Sequence, residues 1–327
     1  MKAIVQETYG SADVLELGDI DKPATADHEV LVRVHAAGVD RGVWHLMTGL
    51  PYLIRIMGYG LRRPKTPVPG MDVAGRVEVV GAGVTRFQPG DEVFGVCDGS
   101  FAEYARASED KLEPKPTNLS LEQAAVVPVS ALAALQAVRD EGKVQRGQEV
   151  LIIGASGGVG TYAVQIAKAF GAQVTGVCRT SKIDMVRSIG ADYVIDYTRE
   201  DLADGQRHYD VVLDIGGNRS LSLLRRCLRP KGTLVIVGGE EGGRWFGGVG
   251  RQLGAVMLSP FVSHTLRAQF PAEREGDLRL LKDFIEDGKI TPVIDRTFPL
   301  SEARDAILYM EEGRARGKIL ITMEVGR

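Results

Sequence analysis

Cysteine is scarce in this chain. Its 327 residues hold three, Cys97, Cys178 and Cys227, far apart and with no Cys-x-x-Cys pair. That spacing excludes a local structural zinc lobe and a dithiol redox motif, and an odd, unpaired set fits a reducing compartment. Histidine is nearly as sparse. His28, His35, His45, His208 and His264 include no two at the spacing of a local metal motif, so hydrogen-bonded or solvated roles are expected for most of them. No run of Lys or Arg is long enough to follow a nucleic-acid backbone, and 40 basic against 43 acidic residues leave a formal net charge of −3. Nucleic acid is therefore not an expected partner. No apolar stretch approaches the roughly 18 residues that span a bilayer, and Met1-Lys-Ala-Ile-Val-Gln-Glu reads as a strand rather than a cleavable leader. The expectation is a cytoplasmic chain with no membrane partner. Internal repeats and low-complexity segments are absent.

What is present is ordinary globular material. Hydrophobic residues at 44% and charged residues at 25% suit a folded, soluble protein, and 40 glycines imply many turns or close backbone approaches. The length predicts two domains at roughly 100 to 200 residues each. Up to about Leu121 short strands alternate with turns, as in Glu29-Val-Leu-Val-Arg-Val-His-Ala-Ala, Gly75-Arg-Val-Glu-Val-Val-Gly and Asp91-Glu-Val-Phe-Gly-Val, the pattern of an irregular β-domain. Pro114, Pro116 and Ser120 then punctuate the chain, and helical spacing over 121–138 sets a boundary near residue 122.

From Glu149 the rhythm becomes strand, helix, strand. Val150-Leu-Ile-Ile precedes a helix over 158–170, Gln173-Val-Thr-Gly-Val follows, and a helix over 181–189 comes next. Further short apolar runs at Tyr193-Val-Ile, Asp210-Val-Val-Leu-Asp, Thr233-Leu-Val-Ile-Val and Ala255-Val-Met-Leu complete a six-stranded, doubly wound parallel sheet. After about Phe270 a helix over 277–286, a strand at 293–298, a helix over 301–312 and the strand Lys318-Ile-Leu-Ile-Thr are expected to return to the first domain. The fold class is α/β, with the catalytic domain at 1–122 and 270–327 and the nucleotide-binding domain at 123–269.

The most informative segment is Leu151-Ile-Ile-Gly-Ala-Ser-Gly-Gly-Val-Gly160. Gly157 and Gly160 take the second and third positions of a G-x-G-x-x-G fingerprint, with Ala155 at the first. Such spacing serves a tight turn, a backbone approach to a pyrophosphate, and close packing of helix on sheet, while the helix N-terminus offers N–H donors to the anion. An apolar strand before it and a helix after it favour the dinucleotide reading over a mere tight turn. Ala155, Ser156, Gly157, Gly158, Val159 and Gly160 are the expected phosphate loop. NAD-binding domains usually place an acid at the end of the second strand to hold the ribose hydroxyls. This chain has Cys178 there, followed by Arg179, Thr180, Ser181 and Lys182. Two cations and two hydroxyls without an acid suit a 2′-phosphate, so NADPH is predicted over NADH.

Several blocks together resemble the medium-chain dehydrogenase/reductase superfamily, and within it the zinc-independent quinone oxidoreductases and enone, alkenal or enoyl reductases. They are Ala37-Gly-Val-Asp40, Pro69-Gly-Met-Asp-Val-Ala-Gly75, Val80-Gly-Ala-Gly-Val-Thr-Arg-Phe-Gln-Pro-Gly-Asp-Glu-Val93, the phosphate loop, and Gly317-Lys318. The resemblance spans essentially the whole chain. It implies a GroES-like catalytic domain built from both chain ends, a Rossmann domain between them, a homodimer, and an active site in the cleft. In the resembling zinc-dependent alcohol dehydrogenases a Cys, a His and a second Cys hold the catalytic metal; the matching positions here are Asp40, Met71 and Val129. Between Gly90 and Leu119 only Cys97 is present, so the four-cysteine lobe is missing too.

No metal is therefore expected, and the chemistry implied is hydride transfer from NADPH to a small apolar quinone or α,β-unsaturated carbonyl, with hydrogen-bond donors stabilising the oxygen that collects charge. A zinc-type alcohol dehydrogenase or aldehyde reductase and a non-catalytic NADPH-binding protein are the competing readings. Candidate donors lie in Trp44-His-Leu-Met-Thr-Gly-Leu-Pro-Tyr-Leu-Ile-Arg-Ile-Met-Gly-Tyr59, a region that lines the cleft in the resembling reductases. Tyr52 comes first and Tyr59 second, against the alternative of core or dimer surface. Asp40 either orients His45 or a water, or makes a structural hydrogen bond. Val237, Gly238 and Gly239, at the carboxyl end of the fifth strand, are expected beside the nicotinamide. Ser130 and the 214–218 turn are further candidates, Trp245 and Phe246 either roof a pocket or pack helices, and Lys318 either meets phosphate or ribose or lies on the surface.

Overall fold

A computed structural model describes residues 1–202, 205–217, 219–239, 243–270, 274 and 276–323. The chain divides into two compact units: Met1–Ser130 with Glu273–Glu286 and Pro292–Arg327, and Ala131–Ala272 with Asp287–Thr291. The crossing from the first unit to the second thus falls at residue 130 rather than near 122.

The first unit opens with an antiparallel pair, β1 (Lys2–Val5) and β2 (Glu16–Asp19), and then the long β3 (Glu29–Val39). Along β3 only Arg33 is exposed among mostly buried Val and Ala residues, because both faces of its sheet are covered over much of its length. Helix α1 (Arg41–Thr48) follows at once. Asp40 caps its N-terminus, and Gly49, at φ 62°, closes its C-terminus in the left-handed conformation that glycine adopts without steric cost. Strands β4 (Asp72–Val80), β5 (Glu92–Val96), β6 (Tyr104–Ser108) and β7 (Leu112–Pro114) extend the sheet. Ser120 then opens α2 (Leu121–Ala124) with a reciprocal capping box to Gln123. The single helix expected over 121–138 is in fact two. Pro128 begins α3 (Pro128–Gln136), since a proline ring tolerates the first turn of a helix and not its interior.

The second unit contains β8 (Glu149–Ile153), α4 (Gly158–Ala169), β9 (Gln173–Cys178), α5 (Ile183–Ser188), β10 (Tyr193–Asp196), β11 (Tyr209–Asp214), α6 (Leu221–Arg226), β12 (Leu228–Ile236), α7 (Val249–Leu258) and β13 (Thr265–Ala268). All strand pairs are parallel, in the order β10-β9-β8-β11-β12-β13. In order of appearance this is 3-2-1-4-5-6, the doubly wound Rossmann arrangement, whose ligands sit at the carboxyl ends of the strands. The sixth strand is not Ala255-Val-Met-Leu, which lies in α7; it is Thr265–Ala268. Four consecutive apolar residues suit a buried strand or one turn of a helix equally, and periodicity cannot tell them apart.

The chain then returns to the first unit through α8 (Asp277–Glu286), β14 (Ile294–Pro299), α9 (Ala303–Glu311) and β15 (Lys318–Thr322). Its large sheet runs β14-β15-β3-β4-β5-β7, with β6 also paired to β3. Strand β3 therefore has β15 from the C-terminal segment on one side and β4 on the other, and this placement builds the polar cluster described below.

Candidate functional site

The phosphate loop takes the form its spacing demands. Gly154 turns the chain out of β8 at φ 86°, one residue before the fingerprint begins, and its N–H and that of Ala155 donate to the Val177 carbonyl of β9. A Cβ on Gly160 would lie 2.0 Å from the Gly154 carbonyl oxygen, so no larger residue fits where α4 meets the strand turn. Gly157 is the N-cap of α4, and no side chain caps that terminus. The first turn of α4, around Gly158 and Val159, is therefore left without a side-chain cap, as helix N-termini that receive phosphates generally are. Ala155 is fully buried beneath the loop and Ser156 is nearly so.

The end of the second strand differs from the sequence expectation in one respect: an acid is present. Parallel pairing sets Asp196, the last residue of β10, beside Cys178. The Thr180 and Thr198 hydroxyls and the Thr198 N–H all donate to the Asp196 carboxylate, which they hold below the usual carboxylate range. The Thr180 hydroxyl is thus engaged within the protein rather than offered to a phosphate. Cys178 is buried, and burial pushes its thiol up to about 11, so it acts as packing. Arg179 and Ser181 are exposed and Lys182 is half-buried. Arg179 donates through Nε to Tyr197 Oη at 3.2 Å, and Arg219 lies over the Tyr197 ring at 5.8 Å. Asp196, Tyr197 and Arg219 were not foreseen. The available signal was Asp196 closing the third apolar run, where parallel pairing brings strand ends together.

At the carboxyl end of the sheet the Val237 and Gly238 N–H groups donate to the Asp214 carbonyl, which fixes 237–239 against β11. The Asp214 carboxylate, fully buried, pairs with Arg251 of α7 and accepts from the Gly217 N–H. Asn218, at the end of the predicted 214–218 turn, lies outside the described residues. Trp245 and Phe246 are 66% and 57% exposed, which does not support a role in packing helices.

In the first unit, Arg55 organises the candidate substrate segment. Its guanidinium lies 4.2 Å from the Tyr9 ring centre and 4.7 Å from that of Tyr52, and Nε donates to the Gly49 carbonyl at 2.8 Å. Tyr9, another unforeseen residue, donates through Oη to the carbonyls of Tyr59 and Gly60. Tyr52 is half-buried and Tyr59 is 48% exposed, so the core alternative fails for Tyr59. His45 Nδ1 lies 2.7 Å from the Leu50 carbonyl, an acceptor it can meet only as an N–H donor.

Asp40, Asp72 and Lys318 meet because of strand register. Ile319 of β15 faces Val39, and Ala36 of β3 faces Ala74 of β4. Carried along the strands, the same registers set Lys318 opposite Asp40 and Asp72 opposite Gly38, all on one face of the sheet. The glycine is needed there, since a Cβ at residue 38 would lie 2.5 Å from Asp72 Oδ2. Lys318 Nζ donates to Asp72 Oδ2 at 2.9 Å and to Ser130 Oγ at 3.0 Å, and the Val129 N–H donates to Asp72 Oδ1 at 2.7 Å. Lys318 is 1% exposed. The surface reading of it does not hold: its ammonium is enclosed and engaged on Asp72 and Ser130. Ser130 likewise is 1% exposed and turned to Lys318. Asp40 Oδ1 accepts the Val43 N–H at 3.2 Å, which is the structural hydrogen bond, a helix cap.

Two family models match this chain: an alcohol dehydrogenase GroES-like domain over residues 26–117 and a zinc-binding dehydrogenase over residues 189–321. A chloroplastic NADPH-dependent alkenal/one oxidoreductase of Arabidopsis thaliana is 35% identical over 98% of the chain and 79% of that relative. The 2-methylene-furan-3-one reductase of Solanum lycopersicum is 32% identical over 98% of the chain and 79% of its own length. The chain belongs to the medium-chain dehydrogenase/reductase superfamily. Among solved structures, the quinone oxidoreductase from Coxiella burnetii superposes with a TM-score of 0.86 at 27% identity, over 99% of both chains.

Superfamily membership, and the second family's description, raise the question of zinc. The residues do not fit it. Of the three matching positions, Val129 offers no side-chain donor and Met71 only a thioether, while the neighbouring carboxylate of Asp72 is already paired with the Lys318 ammonium. Among the described residues no group of three His, Cys, Asp or Glu is arranged to hold a metal ion.

Proposed function

We propose that this member of the superfamily is an NADPH-dependent, zinc-independent oxidoreductase that delivers hydride to a quinone or an α,β-unsaturated carbonyl. The observation that carries the reading is the chemistry of the positions matching the metal ligands: Val129 offers no side-chain donor, Met71 only a thioether, and the carboxylate beside them, Asp72, is paired with Lys318. Oxidising an alcohol requires an alkoxide to be stabilised, which zinc does as a Lewis acid. Conjugated carbonyls and quinones need less, because charge moves to an oxygen remote from the attacked carbon and hydrogen-bond donors suffice. The superfamily relatives named for alkenal/one and furanone reduction, and the quinone oxidoreductase neighbour, agree with this reading.

Bound NADPH supplies the hydride. For the chain's own residues, the uncapped α4 N-terminus receives the pyrophosphate, Val237 to Gly239 border the nicotinamide, and Arg179 meets the 2′-phosphate. Tyr52 is the first choice for donor to the substrate oxygen and Tyr59 the second, since Arg55 holds Tyr52 in place while Tyr59 is the more exposed. NADPH consumption across quinones, alkenals, enones and aldehydes, with product identification and zinc analysis, tests the proposal. Reduction of the conjugated bond or quinone by metal-free protein is expected; stoichiometric zinc with turnover of simple aldehydes would establish the alcohol dehydrogenase reading instead.

Cofactor choice gives a separate prediction. Asp196 lies ionised at the site, but its oxygens are engaged by Thr180 and Thr198 and paired with Arg199, so exposed Arg179 supplies the cation that a 2′-phosphate would meet. Arg179→Gln is expected to raise the NADPH dissociation constant about tenfold, or about 1.4 kcal/mol, and leave that of NADH within about twofold. Equal losses for both would show that Arg179 does not read the phosphate.

Homodimerisation is also part of this reading. Among the described residues strand β13 is the last of its sheet, and near it Met257 and Phe261 are 73% and 83% exposed, an apolar surface a second copy could cover. Light scattering would decide it. The three cysteines are free and buried, which agrees with a reducing compartment such as the cytoplasm, and no helix among the described residues is long and apolar enough to cross a membrane.

A further inference from the structure

Between Asp40 and Asp72 the chain carries no Asp or Glu and five cations, Arg41, Arg55, Arg62, Arg63 and Lys65, although its formal net charge is −3. Two of the five are engaged within the protein. Arg41 donates to the Met310 carbonyl, and Arg55 lies against the Tyr9 and Tyr52 rings. Arg62, Arg63 and Lys65 are exposed, and among the described residues their side chains enter no ion pair or hydrogen bond. Beside them stand four large apolar side chains that the fold leaves in water: Ile56 and Leu61 at 69% exposed, Met57 at 66% and Tyr59 at 48%. The two sets are also neighbours in space. The chain reverses through Gly58 and Gly60, at φ 108° and 111°, and the Lys65 N–H donates to the Tyr59 carbonyl at 2.9 Å. A Cβ on Gly60 would lie 2.1 Å from the Arg63 carbonyl oxygen, so the turn is closed tightly. Its base is fixed by buried Gln6, which donates through its backbone N–H to the Pro67 carbonyl at 2.8 Å and through Nε2 to the Met47 carbonyl at 3.1 Å.

We propose that residues 56–65 are a docking surface for an anionic lipid bilayer, with Ile56, Met57 and Leu61 entering the acyl boundary and Arg62, Arg63 and Lys65 meeting the headgroup phosphates. The combination decides the partner. An exposed apolar tip alone suits another protein, and cations alone suit any polyanion. An apolar tip joined to exposed cations in an acid-free stretch matches the layering of a bilayer, in which hydrocarbon lies beneath a negatively charged surface. The expectation of no membrane partner rests on the length of apolar runs, which bears on spanning a bilayer; contact with its surface needs only a short apolar tip. Fixing the base at Gln6 presents that tip already folded, so little chain entropy is lost on docking. Docking itself does not depend on the reductase reading. Taken with that reading, it sets the segment of Tyr52 and Tyr59 beside the phase in which apolar quinones and enones dissolve.

The test is flotation of the purified, full-length protein with vesicles of phosphatidylcholine alone and of phosphatidylcholine mixed with phosphatidylglycerol, which requires no turnover and so can fail separately from the reductase reading. Binding to the mixed vesicles is expected, with little to the neutral ones, and it should weaken as salt is raised. The triple variant R62Q/R63Q/K65Q should lower partition into the mixed vesicles about 100-fold. Ile56→Ser combined with Leu61→Ser should lower it at least about tenfold, because less apolar area enters the lipid. Both variants alter exposed side chains only and should keep the wild-type melting temperature. Since the three native cysteines are buried, Met57→Cys takes a single environment-sensitive fluorophore, whose emission should move to the blue with mixed vesicles and stay unchanged with neutral ones. Absence of binding to mixed vesicles, binding that survives R62Q/R63Q/K65Q, or a probe at position 57 that stays in water would overturn the proposal. A dimer that the Ile56→Ser, Leu61→Ser variant dissociates, with no vesicle binding by the wild type, would overturn it in favour of a second copy on this surface.

Discussion

Alanine at Gly157 and alanine at Gly160 should have opposite signatures, although the two glycines lie three residues apart in one loop. A Cβ on Gly160 would stand 2.0 Å from the Gly154 carbonyl oxygen, 2.8 Å from the Gly154 carbonyl carbon and 2.9 Å from that of Ala155. All three are backbone atoms of a tight turn and cannot move aside cheaply. Gly160→Ala should therefore lower the stability of the second unit and also abolish measurable NADPH binding. At Gly157, by contrast, the nearest atom to an added Cβ is the Gly154 carbonyl oxygen at 3.6 Å, an ordinary contact, and φ of −88° suits any residue. Gly157→Ala should fold with an unchanged melting temperature. Its cost should appear only with ligand, as a loss of about 100-fold in NADPH affinity, or about 2.7 kcal/mol, because the methyl group occupies the approach of a pyrophosphate to the α4 N-terminus. Calorimetric melting and fluorescence titration separate the two effects. If Gly157→Ala binds NADPH as the wild type does, the loop is a structural turn and the cofactor site must be sought elsewhere.

Removing the Lys318 ammonium is the second large effect. Lys318→Met leaves Asp72 fully buried with one hydrogen bond, from the Val129 N–H, and no counter-charge. Breaking a buried ion pair from one side typically costs about 3–5 kcal/mol, mostly because the surviving charge is uncompensated. The urea midpoint of the first unit should fall accordingly. Adding Asp72→Asn to Lys318→Met should restore most of the loss, since a neutral amide still accepts from Val129 and no longer needs a cation. A double variant no more stable than Lys318→Met would show that packing of the lysine stem, rather than charge, makes the contribution.

Local features of this chain were legible because their causes are local. The continuous apolar run of β8, the glycines at fixed offsets, and the helix that follows all lie within about 20 residues, and they specified a dinucleotide loop without reference to the rest of the molecule. Ser120, with Pro114 and Pro116, marked a break before helical spacing for the same reason, although its capping partner Gln123 appeared only in the structure. The run at 255–258 was misread as a strand because four apolar residues carry no period, and the choice between helix and strand was made by its neighbours in α7.

The sequence by itself determined the class of the protein: an α/β chain with one doubly wound nucleotide-binding unit, and the loss of the side chains that hold zinc at positions 40, 71 and 129. Tertiary structure alone decided which residues surround and partner those positions. Asp40, Asp72 and Lys318 are separated by up to 278 positions in the numbering and become neighbours only through the registers of β15, β3 and β4. Asp196 reaches the cofactor address in the same way, through the pairing of β10 with β9. Both are nonlocal facts with a common physical origin. Strand pairing fixes which residues share a face, and burial then obliges charges placed there to find partners, so that Lys318, for which the sequence allowed a surface role, is an enclosed counter-ion.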